Sequence, residues 1–301
     1  MIHDAVHTSG LSKRYGNGVL AVDGLDLRVR RGEVYGFLGP NGAGKTTTLK
    51  MLLGLIRPTS GQALVMDRPP GDAKGLARVG ALVESPAFYP YLSGRDNLRV
   101  IAHSCGLPGS RVEAALQEVD LGGRARDGFQ TYSLGMKQRL GVAAALVKEP
   151  DLLILDEPTN GLDPQGMVEM RHLIRELGRG ERTVLLSSHL LNEVEHMCDR
   201  VGVIVNGKLV AEGTVADVRG RSAALILRAQ PVDRARALLE EVAGSGTVSD
   251  QDGLLRVSVD PARAGEVNRR LVVGGVDVTE LRPAERSLEE VFLQLTEGST
   301  L

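Results

Sequence analysis

The apolar positions of the chain change period several times along its length. Leu25, Leu27 and Val29 alternate with Asp26, Arg28 and Arg30, the period of a half-buried strand, and the first thirty residues read as strands. Val34 to Leu38 is a continuous apolar run that stops at Gly39-Pro40-Asn41-Gly42, a loop signal. From Lys45 the spacing turns helical, with Leu49, Leu52, Leu53 and Ile56 on one face and an expected end at Pro58.

Residues 86–148 lack strand signals and read as helical. Ser93 and Asp96 have capping-box spacing ahead of Leu98, Val100 and Ile101, and a second helix carries Val112, Ala115, Leu116 and Val119. Leu152 to Leu155, bounded by Asp151 and Asp156, has the character of a strand buried on both faces. A helical stretch (Met167 to Leu177) and another buried run (Val184-Leu185-Leu186) follow, and this alternation predicts a parallel α/β sheet. Val201 to Val205 and Leu209 to Ala211 flank Asn206-Gly207, a type I′ hairpin signal.

Composition shifts near Gly220: Lys208 is the last lysine, and only Arg supplies cations beyond it. Short strands at Ala223 to Leu227, Leu254 to Val259 and Val276 to Leu281 are separated by helical patterns at Ala235 to Val242 and Ala264 to Val272. Ser287 and Glu290 have capping-box spacing, and Leu288, Val291, Phe292 and Leu295 form an apolar stripe. These features predict a first domain over 1–219, with its helical part at about 86–148, and a small second α/β domain over 220–301.

The 301 residues are 42% hydrophobic and 25% charged, ordinary globular proportions that exclude wholesale disorder. A net charge of −2 argues against a nucleic-acid partner. No apolar run reaches the ~18 residues of a membrane span. The N-terminus shows no signal-peptide pattern, and two cysteines make no disulfide scaffold, so a soluble protein of a reducing compartment is expected. Aromatics are scarce: five Tyr, four Phe and no Trp, all but Phe292 at or before Tyr132. An aliphatic core is expected, with Tyr35, Phe37 and Phe292 as packing residues and the other rings spent where the chain touches something.

Gly39-Pro40-Asn41-Gly42-Ala43-Gly44-Lys45-Thr46, followed by Thr47, fits the phosphate-binding pattern G-x-x-x-x-G-K-[ST]. Its glycines let backbone N–H groups curl round an anion, and the helix beginning at Lys45 adds the positive end of its dipole. Lys45 is expected to reach the β- and γ-phosphates of a nucleotide, with the Thr46 hydroxyl on Mg²⁺. Asp156, ending a buried strand, is the expected metal carboxylate, and its neighbour Glu157 could polarise the attacking water.

Between these elements stands Tyr132-Ser133-Leu134-Gly135-Met136-Lys137-Gln138-Arg139. Together with Asn160-Gly161-Leu162-Asp163 and Ser187-Ser188-His189, it makes the chain resemble the ATP-binding cassette (ABC) ATPases over about residues 5–215. The matching segments are the family's signature, D-loop and switch-histidine region, and Tyr15 stands where its members stack an aromatic on adenine. The resemblance implies an α/β P-loop NTPase of ABC type, with an antiparallel β subdomain and a helical subdomain, followed here by the small C-terminal domain. It implies ATP and Mg²⁺ as ligands, Ser133 and Gly135 contacting the nucleotide of a second cassette in a head-to-tail homodimer, and His189 contacting the γ-phosphate. It also implies a membrane-spanning permease partner and a cytoplasmic location on the inner face of the membrane.

Two departures stand out. Leu134 and Met136 replace the signature's usual Gly and Gln, and Glu84 replaces the usual metal-side Gln, which implies weaker or more Mg²⁺-dependent coupling there. In relatives the Glu84-to-Leu92 segment helps form the groove for the permease; intradomain packing of Phe88 and Tyr89 is the competing reading. Glu-Ser-Pro at 84–86, the Leu-Gly-Met-Lys-Gln-Arg signature and Ser-Leu-Glu-Glu-Val-Phe-Leu near the end resemble bacterial antibiotic and bacteriocin exporter ATPases of the daunorubicin- and bacitracin-resistance type. An importer ATPase with a regulatory C-terminal domain, or a soluble ABC switch protein without a membrane partner, are the alternatives. His196 and Cys198, near His189, match no metal-ligand spacing.

Overall fold

The computed structural model describes residues 4–16, 18–84, 87–220, 224–244, 246–251, 253–284 and 286–297, with only the backbone at 251 and 294–297. The chain divides into two compact units, Met1–Val218 with Phe292–Leu301, and Arg219–Val291.

The first unit opens with β1 (Asp4–Arg14), β2 (Leu20–Leu25) and β3 (Arg28–Arg30), then β4 (Val34–Leu38), α1 (Lys45–Leu52) and β5 (Ser60–Val65). β1 pairs antiparallel with β2, β3 and β5, giving a four-stranded antiparallel layer. Its apolar side chains Leu11, Val22, Leu25, Leu27 and Val29 are fully buried with Tyr35 and Phe37 of β4. Next come α2 (Ala73–Leu76), β6 (Val79–Leu82), α3 (Gly94–Ser104), α4 (Ser110–Glu118), α5 (Leu134–Leu146), β7 (Leu152–Asp156), α6 (Pro164–Leu177), β8 (Thr183–Ser188) and α7 (Leu191–Met197). β9 (Arg200–Val205), β10 (Lys208–Thr214) and α8 (Val215–Arg219) follow.

The six-stranded sheet runs β10-β9-β4-β8-β7-β6, parallel except for the β9–β10 hairpin. Every residue of β4, β7 and β8 is buried, which explains their unbroken aliphatic runs. In a parallel sheet all carboxyl ends share one edge, so the residues after β4, β7 and β8 converge in space although they are far apart in sequence.

Two local expectations hold in detail. Ser93 caps α3 by accepting from Asp96 N, and the Asn206-Gly207 turn adopts positive φ at both residues (50° and 81°). The expected helix to Pro58 stops earlier. Gly54, at φ 73°, closes a Schellman end in which Leu55 N donates to Lys50 O and Gly54 N to Met51 O. The apolar spacing of Leu53 and Ile56 continues past the helix because both still pack against the core.

The helical part holds the aromatic cluster. Phe88 meets Phe129 edge-on at 5.2 Å, Phe129 and Tyr132 are buried, and the Tyr132 hydroxyl donates to Arg124 O. Phe88 thus follows the competing, intradomain-packing reading, and Phe129 and Tyr132 are packing residues where contact surfaces were expected. Tyr89 and Tyr91 are exposed (49% and 74%).

The second unit contains β11 (Leu225–Gln230), α9 (Val232–Ala243), β12 (Val248–Gln251), β13 (Leu254–Val257), α10 (Ala264–Val273) and β14 (Asp277–Pro283). This βαββαβ order, with an antiparallel sheet β12-β13-β11-β14, is the split βαβ arrangement. Its core is aliphatic, around Leu225, Leu227, Leu239, Val257 and Leu271. The last helix, α11 (Leu288–Glu297), crosses the boundary between the units; Ser287 Oγ accepts from Glu290 N at its start. Leu288 is buried, Val291 and Phe292 are half-buried, and the Leu295 side chain, Ala223, Ser85 and Pro86 lie outside the described residues.

Candidate functional site

β4 ends at Leu38 and the glycine loop turns directly into α1. Gly39 and Gly44 are required here by space: a Cβ on Gly39 would lie 2.4 Å from Ile204 O, and one on Gly44 2.3 Å from Ala21 O. Gly44 also sits at φ 107°, which side chains rarely adopt. The hairpin tip ties the loop down, since Gly207 N donates to Ala43 O and Gly207 O accepts from Asp23 N. Pro40, Asn41, Gly42 and Gly44 to Thr47 line a cleft of about 310 Å³, while buried Gly39 and Ala43 lie behind it.

Lys45 reaches back over the loop. Its Nζ donates to Gly39 O at 2.7 Å and Pro40 O at 3.2 Å, and pairs with Glu157 Oε1 at 3.1 Å, with only 5% of the side chain exposed. A nearly buried ammonium beside curled backbone and the first turn of a helix suits a polyphosphate.

The carboxyl ends of β7 and β8 complete the far wall. Thr46 Oγ1 donates to Asp156 Oδ2 at 2.8 Å, which brings two hard oxygens to the edge of the cleft, a donor set fitting Mg²⁺. Among the described residues no group of three or more His, Cys, Asp or Glu could hold a metal, including the His189, His196 and Cys198 region. Mg²⁺ commonly takes only one or two carboxylates beside water and phosphate oxygens, so the lack of a larger cluster does not conflict with that fit. Glu157 stands at φ 49°, an uncommon backbone for a residue with a side chain. Its Oε2 lies 2.7 Å from His189 Nδ1; the carboxylate accepts, which puts the imidazole proton on Nδ1. Glu157 thus spans Lys45 and His189 at the mouth of the cleft.

Tyr15, 39% exposed, sits beside the loop with its hydroxyl 3.4 Å from Thr47 Oγ1 and the Lys13 ammonium 5.4 Å from its ring centroid. Glu84 does not line the cleft. Its exposed carboxylate pairs with Lys50 Nζ at 2.5 Å, a bond that raises the Lys50 pKa above its ordinary value. Glu84 therefore does not join Thr46 and Asp156 in this structure.

Ser133 and Gly135 are elsewhere too. They line a second cleft, about 470 Å³, with Leu134, Gly161 and Asp163, and Ser133 Oγ caps α5 by accepting from Met136 N. Leu134 is half-exposed and its Cδ2 lies 3.3 Å from where a Gly161 Cβ would stand. The signature thus meets Gly161 to Asp163 of the D-loop segment in a cleft apart from the phosphate loop, while Asn160 of that segment faces the phosphate cleft. Three residues of the site carried no individual sequence expectation: Ala21 and Asn160, which line the phosphate cleft, and Ser187, which bonds the carboxylate of Asp156. Asn160 and Ser187 lay inside recognised segments, but their partners are set by strand order.

Phosphate loop, strand-end carboxylate pair, switch histidine and split signature on a mixed sheet define a P-loop nucleoside triphosphatase of the ATP-binding-cassette fold. A sequence profile of the ABC transporter family matches residues 22–160. The bacitracin transport ATP-binding protein BcrA of Bacillus licheniformis is 40% identical over 98% of both chains. The lantibiotic transport ATP-binding protein SrtF of Streptococcus pyogenes is 41% identical over 67% of this chain and 87% of its own. The solved structure of cbiO1 from Clostridium perfringens, part of the ABC transporter complex cbiONQ, is similar at TM-score 0.64 and 30% identity, covering 70% of this chain and 88% of that one. The chain belongs to the ATP-binding proteins of ABC transporters, and it is an ATPase whose hydrolysis is coupled to transport. Among the described residues no helix is long and apolar enough to cross a membrane.

Proposed function

We propose that this chain drives export of a drug-, peptide- or lipid-like substrate through a separate membrane-spanning permease, held at the cytoplasmic face of the membrane by that partner. The full-length similarity to a bacitracin transport protein supports the substrate class. A single observation carries the hydrolytic reading: Glu157 bridges Lys45 and His189 at the mouth of the phosphate cleft.

In this reading the loop from Gly39 to Thr47 holds the phosphates of ATP, with Lys45 on the β- and γ-phosphates and Tyr15 against the adenine. Thr46 and Asp156 would hold Mg²⁺, which would supply charge neutralisation for in-line transfer. Glu157 leaves Lys45 as phosphate takes its place and accepts the proton of the attacking water; His189 holds the Glu157 carboxylate and then the γ-phosphate. Glu84 would have to leave Lys50 to approach the Thr46–Asp156 pair. Ser133 and Gly135 serve the nucleotide of a second copy, the α5 N-terminus facing its phosphate. Residues 220–301 form an accessory region.

Co-purification with the permease followed by substrate-stimulated ATPase assays tests this. Stimulation by a peptide antibiotic in reconstituted vesicles is the expected result. A requirement for a secreted binding protein, or turnover indifferent to any membrane subunit, would overturn export.

A further inference from the structure

Ser187 lies on β8 directly beside Asp156 of β7, in parallel register, and is fully buried. Its hydroxyl donates to Asp156 Oδ1 at 2.5 Å and accepts the backbone N–H of Glu157 at 2.9 Å. The other oxygen of Asp156 takes the Thr46 hydroxyl. Each carboxylate oxygen of Asp156 is thus fixed by a hydroxyl from a different part of the sheet edge, and one of those hydroxyls also fixes the first backbone group of Glu157. That bond falls at the residue whose φ of 49° turns the chain out of β7. The next serine does something else: Ser188 Oγ accepts from Leu190 N, shaping the loop that presents His189.

We propose that Ser187 is a positioning residue for hydrolysis, a hydroxyl that locks Asp156 and Glu157 in one mutual geometry. This rests on the roles given above to Asp156 and Glu157. Without the hydroxyl, the Glu157 N–H loses its acceptor and Asp156 loses one of its two donors; the carboxylate can rotate and the turn at Glu157 can relax. A misplacement of this kind weakens transition-state positioning more than ground-state binding.

The experiment compares Ser187→Ala, Ser187→Cys and Ser187→Thr with wild type. Cys keeps the volume with a much weaker donor, whereas Thr keeps the hydroxyl. The readouts are kcat, KM for ATP, thermal melting, and the Mg²⁺ concentration that half-saturates binding of a fluorescent ATP analogue. Ala and Cys should lower kcat about tenfold or more with KM within about threefold. Both should raise the Mg²⁺ requirement of analogue binding at least threefold, and Thr should restore each value toward wild type. Wild-type kcat and Mg²⁺ dependence in a folded Ser187→Cys would overturn the proposal, as would a loss of kcat in Ala and Cys that merely tracks their melting temperatures. Glu157→Gln is run alongside: rapid turnover by that variant defeats the assignment of the base itself, whereas an inactive Glu157→Gln beside a normal Ser187→Cys defeats only the role of Ser187.

Discussion

Glu157 Oε1 lies 3.1 Å from Lys45 Nζ, in a part of the site where both side chains are largely withdrawn from water. The carboxylate occupies the position toward which a phosphate must come, so nucleotide binding and this ion pair compete. Glu157→Gln is expected to change two quantities in opposite senses. Turnover measured by phosphate release should fall ~10²–10⁴-fold with loss of the base. ATP affinity, measured by equilibrium binding, should rise, because the largely buried pair that competes with phosphate for Lys45 is removed and leaves the ammonium without its partner. Unchanged affinity would mean that the pair does not hold Lys45 in solution.

Gly44 tolerates no side chain on two separate grounds, its φ of 107° and the approach of Ala21 O. Gly44→Ala should lose roughly 1–3 kcal/mol from backbone strain alone, and more from the contact. Thermal melting and nucleotide binding should decline together, since the strained residue is the cap of α1.

Ser93 and Asp96 bind each other reciprocally at the start of α3: Asp96 N donates to Ser93 Oγ, whose hydroxyl lies 2.6 Å from Asp96 Oδ2. Ser93→Ala should cost about 1 kcal/mol at neutral pH. The Ser93 hydroxyl, with help from Arg99, holds the Asp96 carboxyl below its ordinary value. A lowered folded-state pKa stabilises at pH above the unfolded value, near 4, and this share is lost as pH falls through the folded value. The stability gap between wild type and Ser93→Ala should therefore be constant from pH 7 to about 5 and narrow below pH 4, as read by urea unfolding.

Tyr89 and Tyr91 present a ring pair to solvent, 5.7 Å apart, on a loop held by Asn97, which accepts from Tyr89 N and donates to Tyr89 O. Tyr89→Ala with Tyr91→Ala should leave melting and basal ATPase unchanged and abolish stimulation by the permease. Phe88, packed on Phe129, is unsuitable for the same test because its loss would disturb the fold.

What could be read from the sequence was whatever a contiguous segment encodes. The β4–loop–α1 unit, the strand ending in Asp156 and the Asn206-Gly207 turn each carry their own signal, because local sterics and alternation dictate them. The pairing of β5 with β1, the short strand β12 and the diversion of Glu84 to Lys50 depend on neighbours distant in the chain, and no local pattern announces them. Phe129 and Tyr132 misled for the same reason: adjacency to the signature in sequence said nothing of the helices that bury them. Ser187 is the sharpest case, visible as one letter of a motif but acting sideways across the sheet.

The tip of the β9–β10 hairpin has one more consequence. Gly207 bonds at once to Ala43 in the phosphate loop and to Asp23 in the antiparallel layer, so the loop is clamped by its own chain. A clamped loop has little conformational entropy left to surrender when a ligand arrives. Calorimetry of ATP binding should accordingly register a small ordering penalty, and a Gly207 variant that opens the clamp should bind with a larger one.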